Sequence, residues 1–267
     1  MEILPFLSSD LPYLTDLQPE GWPEIFPEFQ YYVHSSFCFP IKVIVDEKVV
    51  GIGASIHRDG KTAWLAHIIV HPAYRQRGIG FRITQHLVTQ LQAQYYTTLS
   101  LIATEAGYPV YNKIGFRTET EYIFFQGNLL VTPSAPSPFL VPCTAPYRNE
   151  VMQMDRLISG ENREVQLAEH LSDAFLYVKN GQIEGGYFPT WGEGLIIATS
   201  THAGLELMAL RLQKHDRAVL PKENRLATQF LLMHQFQEVR RAYRMVLGEQ
   251  RPWHPSMVYN RIKGALG

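Results

Sequence analysis

Apolar, largely β-branched residues fill 41–45 and 49–56, with the polar triplet Asp46-Glu47-Lys48 between them, and this pattern predicts two strands joined as a hairpin. A third strand is expected over 62–70, after the turn signal Arg58-Asp59-Gly60. From 78 to about 95 the period changes: Ile79, Ile83, Leu87 and Leu91 recur at fourfold spacing with polar residues between them, which predicts an amphipathic helix. Further on, 99–103 reads as a short apolar strand, 108–113 as a short helix and 122–125 as part of a closing strand. A similar order returns later, with a helical stretch over 155–171 and strands over 174–179, 183–189 and 195–198, joined at Asn180-Gly181 and Trp191-Gly-Glu-Gly194. Between the two series lies Thr132-Pro-Ser-Ala-Pro-Ser-Pro138, followed by Pro142 and Pro146. Proline lacks a backbone donor and fixes φ, so this stretch continues neither a helix nor a central strand. The expected division is a first domain over 1–131, a linker over 132–150 and a second domain over 151–267.

Composition narrows the class. A chain of 267 residues with 46% hydrophobic and 18% charged residues buries sizeable cores, so disorder is not expected. With 24 Lys+Arg against 25 Asp+Glu, no global field draws nucleic acid or an anionic membrane. No stretch reaches the roughly 18 apolar residues of a membrane span, and the amino terminus lacks a basic, then apolar, leader pattern; a cytoplasmic protein is expected. Cys38 and Cys143 stand alone, without CxxC spacing or clustered His, and are expected as incidental thiols rather than ligands, with no metal site.

The strongest chemical signal lies between the strand ending at Val70 and the helix beginning near Gly78: His71-Pro-Ala-Tyr-Arg75-Gln76-Arg77-Gly78-Ile79-Gly80. The first backbone N–H groups of a helix have no intrahelical acceptor, and the helix dipole adds positive character there, so such a loop holds an anion. Glycines at 78 and 80 let phosphate approach the main chain, and Arg75 and Arg77 offer charge-assisted bonds. The loop has neither the Lys-Ser/Thr pair of a P-loop nor the three glycines of a dinucleotide fingerprint. It resembles the R/Q-x-x-G-x-G/A signature of the GNAT superfamily of N-acetyltransferases, carried by Arg75, Gly78 and Gly80, and Val70-His-Pro-Ala-Tyr is similar to the segment that enters that loop. Downstream, the segment from Leu101 through Thr104, Gly107, Tyr108 and Tyr111 to Gly115-Phe116 is similar to the GNAT strand, short helix and Gly-Phe turn.

The resemblance implies an α/β fold of two GNAT-like domains, each with a mixed, mostly antiparallel sheet, flanking helices and splayed central strands that admit a pantetheine arm. It implies acetyl-CoA as cosubstrate, contacted by Ile68, Ile69, Val70, Arg75, Gln76, Arg77, Gly78, Ile79, Gly80, Thr104 and Tyr108. Tyr111 is the expected proton or hydrogen-bond donor to the leaving sulfur, with Tyr108 as fallback; a phenol of ordinary pKa about 10 keeps its proton at neutral pH. An attacking amine must lose a proton, and His67 on the strand before the loop is the candidate base, with Glu105 as another. A main-chain N–H at Ile69 or Val70 is the candidate oxyanion donor.

The second half reads as a decayed copy. Thr104 to Tyr111 and Asn224 to Leu231 both span seven positions (111 − 104 and 231 − 224), and Thr104 to Phe116 and Asn224 to Phe236 both span twelve (116 − 104 and 236 − 224). Tyr111 is replaced by Leu231 and Gly115 by Gln235, and the counterpart of the phosphate loop, read at Thr199-Ser-Thr-His-Ala-Gly204, has neither the arginine nor the paired glycines. A structural or ligand-binding role is expected for it, with Arg240, Arg241 and Arg244 reading as a solvated basic face or an acidic-group site. The aromatics of the amino-terminal segment, Trp22, Phe26, Phe29, Tyr31, Tyr32 and His34, read as one wall of an acceptor pocket or as core. The expected acceptor is a small primary amine such as an amino acid or analogue. Protein acetylation and a non-enzymatic acyl-CoA or metabolite sensor stay open, and the oligomeric state is not legible.

Overall fold

A computed structural model describes residues 1–58, 61–130 and 137–266. The chain divides into two compact units, Met1–Arg117 with Met245–Glu249 and Gly264–Leu266, and Thr118–Arg244 with Gln250–Lys263. The first series of elements is β1 (Glu2–Pro5), α1 (Leu14–Leu17), α2 (Phe26–His34), β2 (Cys38–Val45), β3 (Lys48–His57), β4 (Thr62–Val70), α3 (Ile79–Ala93), β5 (Thr98–Ala103), α4 (Tyr108–Ile114) and β6 (Arg117–Gln126). The second is β7 (Leu140–Pro142), α5 (Arg148–Ser159), α6 (Glu164–Ala168), β8 (Phe175–Lys179), β9 (Gln182–Phe188), β10 (Leu195–Ala198), α7 (Thr201–Leu212), β11 (Arg217–Pro221), α8 (Arg225–Met233) and β12 (Gln237–Gly248), followed by the extra strand β13 (Val258–Asn260). The ten-element order is the same in both, as a duplication requires.

In the first unit β1, β2, β3 and β4 pair antiparallel in that order, and β5 joins β4 in parallel. The β2–β3 hairpin turns on Asp46 and Glu47, both at positive φ (47° and 64°), the left-handed pair that matches a two-residue hairpin to strand twist. Helix α3 buries Ile79, Ile83, Leu87, Val88 and Leu91. It lies so close to β3 that a Cβ on Gly53 would come within 2.7 Å of the Ile83 side chain, so only glycine permits this packing. The second unit holds β7, β8, β9 and β10 in the same antiparallel order, with β13 on the free edge of β10, and β11 pairs antiparallel with β6.

Two expectations about the second half change. The helical stretch read over 155–171 begins earlier, at Arg148, and breaks into α5 and α6 where Gly160 takes a left-handed conformation (φ 67°). Of the proline-rich segment, 131–136 lies outside the described residues, but Leu140–Pro142 is an edge strand on β8, and α5 starts within the span read as linker. Pro142 obeys the edge-strand rule, because an edge leaves its missing donor unneeded. The turn read at Arg58-Asp59-Gly60 falls partly outside the described residues as well. Cys38 is buried, Cys143 is partly so, and neither is in a disulfide among the described residues. No helix among the described residues is long and apolar enough to cross a membrane.

At the end of β3, His57 has Ser55 Oγ at 3.0 Å from Nε2 and Tyr96 Oη at 2.9 Å from Nδ1. Burial lowers its pKa from 6.5 to about 4. Because the folded value lies below the unfolded one, the neutral ring stabilises the fold fully above pH 6.5, and that contribution drains away as pH falls toward 4. The ring is only partly buried, so the loss is about 1–2 kcal/mol rather than the full equivalent of the shift. Urea midpoints for wild type and His57→Asn at pH 7 and pH 4.5 check this: the wild-type protein should lose more stability between the two, and equal losses would refute it.

Candidate active site

Strands β4 and β5 pair from Thr62↔Thr98 through Trp64↔Ser100, and the register ends there, so their carboxyl-terminal halves part. Next to the opening, β4 carries a bulge. Ile52 faces Ile69 and Ala54 faces Ala66, leaving His67 and Ile68 opposite the single residue Gly53. His67 adopts φ 48°, a left-handed conformation that costs a non-glycine residue about 1–2 kcal/mol. Its half-buried ring lies against Phe29 and Tyr32, with centroids 5.9 and 5.6 Å away, and Tyr32 Oη is 3.0 Å from Nδ1.

After Val70 the chain makes a short 3-10 turn over Pro72–Tyr74, whose start is capped by His71 Nδ1 accepting from Ala73 N–H (3.2 Å). Arg75 folds back, its Nε donating to Val70 O at 3.2 Å, and the Arg77 guanidinium lies 5.0 Å from the Tyr74 ring centroid. Gln76 and Gly78 both have positive φ (62° and 77°). Gly78 is the N-cap of α3 and brings no side chain to its first N–H groups. Arg75, Gln76, Arg77 and Gly78 are exposed, Gly80 is partly exposed, and Ile79 is turned into the core. The loop therefore presents main chain and arginines outward, the arrangement an anion needs.

Beyond β5, Thr104 Oγ1 accepts from Gly107 N–H (3.2 Å) and opens the turn into α4. Tyr111 is buried on this helix, edge-on to Phe116 (6.2 Å), and so close to Gly107 that a Cβ there would lie 2.8 Å from its ring. Burial pushes the Tyr111 phenol well above its ordinary value, so it stays protonated at neutral pH. Lys113 Nζ sits 5.5 Å from the Phe81 ring centroid, which ties α4 to the first turn of α3. Glu105 is exposed, whereas Ile69 is buried and Ile68, Val70 and Tyr108 are partly so.

Residues 6–116 match the Acetyltransferase (GNAT) family. The first repeat is a GNAT acetyltransferase domain. No curated protein sequence matches the chain. Among solved structures, a Pyrococcus horikoshii protein assigned as an acetyltransferase superposes with TM-score 0.83 at 20% identity over 100% of this chain and 95% of its own. A tandem GNAT protein from the clavulanic acid biosynthesis pathway gives 0.65 at 13% identity over 92% and 98%. A GCN5-related N-acetyltransferase from Sphaerobacter thermophilus gives 0.65 at 13% identity over 96% and 98%. These likenesses carry the fold alone, and with the repeated element order they give the chain two GNAT-like folds in tandem.

The second repeat keeps the GNAT scaffold and loses the cradle. Asn224 Oδ1 caps α8 by accepting from Ala227 N–H (3.1 Å), at the same three-residue interval as Thr104 and Gly107, and Gln235 holds the left-handed position of Gly115 (φ 63° against 109°). The loop counterpart is shorter than the sequence suggests, because Thr201–Leu212 is already α7 and only Thr199 and Ser200 remain between β10 and the helix. Ser200 Oγ donates to Glu184 Oε2 (2.6 Å) and accepts from Ala203 N–H (3.3 Å), which brings the chain's own carboxylate to this helix start. The carboxyl-terminal segment also bridges β10 and β11: Ile196 pairs with Asn260, Val219 N–H donates to Asn260 Oδ1 (2.9 Å), and Arg261 N–H donates to Val219 O (2.8 Å).

The arginines near the end are not a solvated face as a group. Arg241 pairs with Glu121 and Glu238. Arg244 is buried, bonded to Glu119 (2.6 Å) and Tyr122 Oη (3.2 Å), with its guanidinium 3.8 Å from the Trp253 ring centroid. Only Arg240 of the three is exposed without a bonded carboxylate among the described residues; it lies over Phe124 at 4.0 Å. The six amino-terminal aromatics divide too: Phe29 and Tyr32 are core, whereas Trp22, Phe26, Tyr31 and His34 remain exposed. The Tyr32–His67 contact has no sequence signal, since 35 positions separate the two residues.

Proposed function

We propose that this protein transfers an acetyl group from acetyl-CoA to the primary amine of a small molecule such as an amino acid or analogue, at one site per chain, carried by residues 1–131. The observation that carries the reading is the combination of parted β4 and β5 strands with the outward-facing loop from Arg75 to Gly80 at the start of α3. Main-chain N–H groups at 79–81, with Arg75 and Arg77, bind the pyrophosphate, and a small residue at Gly80 leaves room for it. The backbone of Ile68, Ile69 and Val70 aligns the thioester arm, with the N–H of Ile69 or Val70 meeting the developing oxyanion. His67 accepts the proton that the amine sheds as it attacks the carbonyl. Tyr111 donates its hydroxyl hydrogen to the departing sulfur. A thiol titrates near 8.5 and this phenol above 10, so full proton transfer is uphill, and Tyr111 acts mainly by hydrogen bonding. Residues 151–267, with a collapsed loop and a filled gap beside β10, serve a structural or binding role and do not catalyse.

Calorimetric titration of acetyl-CoA, followed by thiol release across a panel of amines, tests this. Tyr111→Phe should keep the wild-type dissociation constant and lower kcat about 10- to 100-fold. Folded wild-type protein that binds no acetyl-CoA would overturn the reading, and binding without thiol release from any amine would point to the sensor alternative.

A further inference from the structure

Helix α4 brings Lys113, in its last turn, to the first turn of α3, where the ammonium stands 5.5 Å from the Phe81 ring centroid. It joins Arg75 and Arg77 of the preceding loop and Arg82, the fourth residue of α3. All four side chains are exposed, and among the described residues none of them is paired with a carboxylate. Glu105, on the turn that leads into α4, is exposed and pairs with none of them. Elsewhere cations of this chain do find acids: Lys42 meets Asp10 at 2.6 Å, and Arg241 and Arg244 meet Glu121 and Glu119. We propose that Lys113 binds the 3′-phosphate of coenzyme A, so that the protein prefers the 3′-phosphorylated carrier to dephospho-coenzyme A. The inference rests on the proposed role of acetyl-CoA as cosubstrate.

Charge matching separates the two phosphate groups of that ligand. Its pyrophosphate is met by the first N–H groups of α3 together with Arg75 and Arg77, two cations for a group with one negative charge on each phosphate. Lys113 and Arg82 then stand at the same helix end with no counter-charge, unless the ligand carries a further anionic group. A terminal phosphate monoester supplies one, with a charge of about −1.5 to −2 at neutral pH. In coenzyme A that phosphate stands one ribose to the side of the pyrophosphate, and Lys113 likewise comes to α3 from the side, on another helix, rather than along the loop. An ammonium suits such a contact, being a compact charge with three donors that phosphate oxygens can meet from several directions. The Phe81 ring restrains the flexible stem before the ligand arrives, which lowers the cost of ordering it. Lys113 also favours the carboxyl-terminal end of α4 as any cation does there, but that effect is blind to whether the ligand carries a 3′-phosphate.

Calorimetry with acetyl-CoA and with acetyl-3′-dephospho-CoA, each on wild type, Lys113→Met and Lys113→Arg, reads the difference. Methionine keeps an apolar stem beside Phe81 and removes the charge, and thermal midpoints confirm that each variant is folded. The wild type should bind acetyl-CoA about 10-fold or more tightly than the dephospho ligand, with a preference that shrinks as salt is added. Lys113→Met should weaken acetyl-CoA about 5- to 10-fold and the dephospho ligand by less than about 2-fold, whereas Lys113→Arg should keep most of the preference. A wild type that binds both ligands alike would overturn the inference. So would a Lys113→Met variant whose preference equals the wild type's, whether it weakens both ligands or neither; in each case acetyl-CoA binding by the wild type leaves the proposed function standing. A folded wild type that binds neither ligand would sink the cosubstrate reading, and this inference with it.

Discussion

Gly80→Trp should abolish measurable acetyl-CoA binding, a loss of about 10³-fold or more, equivalent to roughly 4 kcal/mol, while the protein stays folded. Gly80 is the second residue of α3, and a Cβ built there meets only Val70 Cγ2, at an ordinary 3.8 Å. A side chain at 80 therefore fits the fold, and on the proposed reading it stands in the way of the pyrophosphate. Gly80→Ala is the graded control: its single methyl should cost little binding and should stabilise the helix by about 0.5–1 kcal/mol. Gly78 makes a poorer probe. Its φ of 77° strains any substitute by about 1–2 kcal/mol, so lost binding there would mix with a changed loop. Calorimetry on wild type and both Gly80 variants decides the matter; a Trp variant that binds like wild type would remove the loop from the site.

Asp155→Ala should destabilise the second unit by about 3–5 kcal/mol. Asp155 on α5 receives two parallel bonds from Arg163, from Nε (2.9 Å) and Nη2 (2.7 Å), and both residues are buried. The pair spans the left-handed break at Gly160 that separates α5 from α6, so it fixes the angle of a corner that backbone hydrogen bonding does not continue through. The guanidinium also lies 5.0 Å from the Trp191 ring centroid and feels Glu161. Taking the carboxylate away leaves an always-charged group buried with less compensation, and this drives the loss more than the missing bonds do. Replacing both partners, Asp155→Ala with Arg163→Met, should recover at least half of it. Denaturant titration of the single and double variants checks this, and a double variant no better than the single one would show that packing rather than charge dominates.

Periodicity and loop chemistry are local, and where they are strong the chain is legible. Strand β4 occupies the span 62–70 that its apolar run predicts, α3 follows the fourfold spacing of Ile79, Ile83, Leu87 and Leu91, and α4 starts at Tyr108. The spacing shared by Thr104–Phe116 and Asn224–Phe236 likewise exposed the duplication, and both segments place a buried Phe after a left-handed residue. The second half was less legible because its signals depend on partners distant in sequence. Gly160 ends a helix whose apolar pattern alone does not stop, and Leu140–Pro142 becomes a strand only because β8 offers it an edge.

Local pattern thus gave the first series of elements and the basic, glycine-headed loop, because each depends on neighbours a few positions away, and the resemblance of that loop to the GNAT signature supplied the candidate residues from Ile68 to Gly80 and at Tyr111. Tertiary structure alone decided three further features. It set His67 in a bulge with Tyr32 on its Nδ1, brought Glu184 to the start of α7, and ran the segment after Trp253 between β10 and β11. Each joins residues many positions apart, through packing and hydrogen bonds that no short-range pattern encodes.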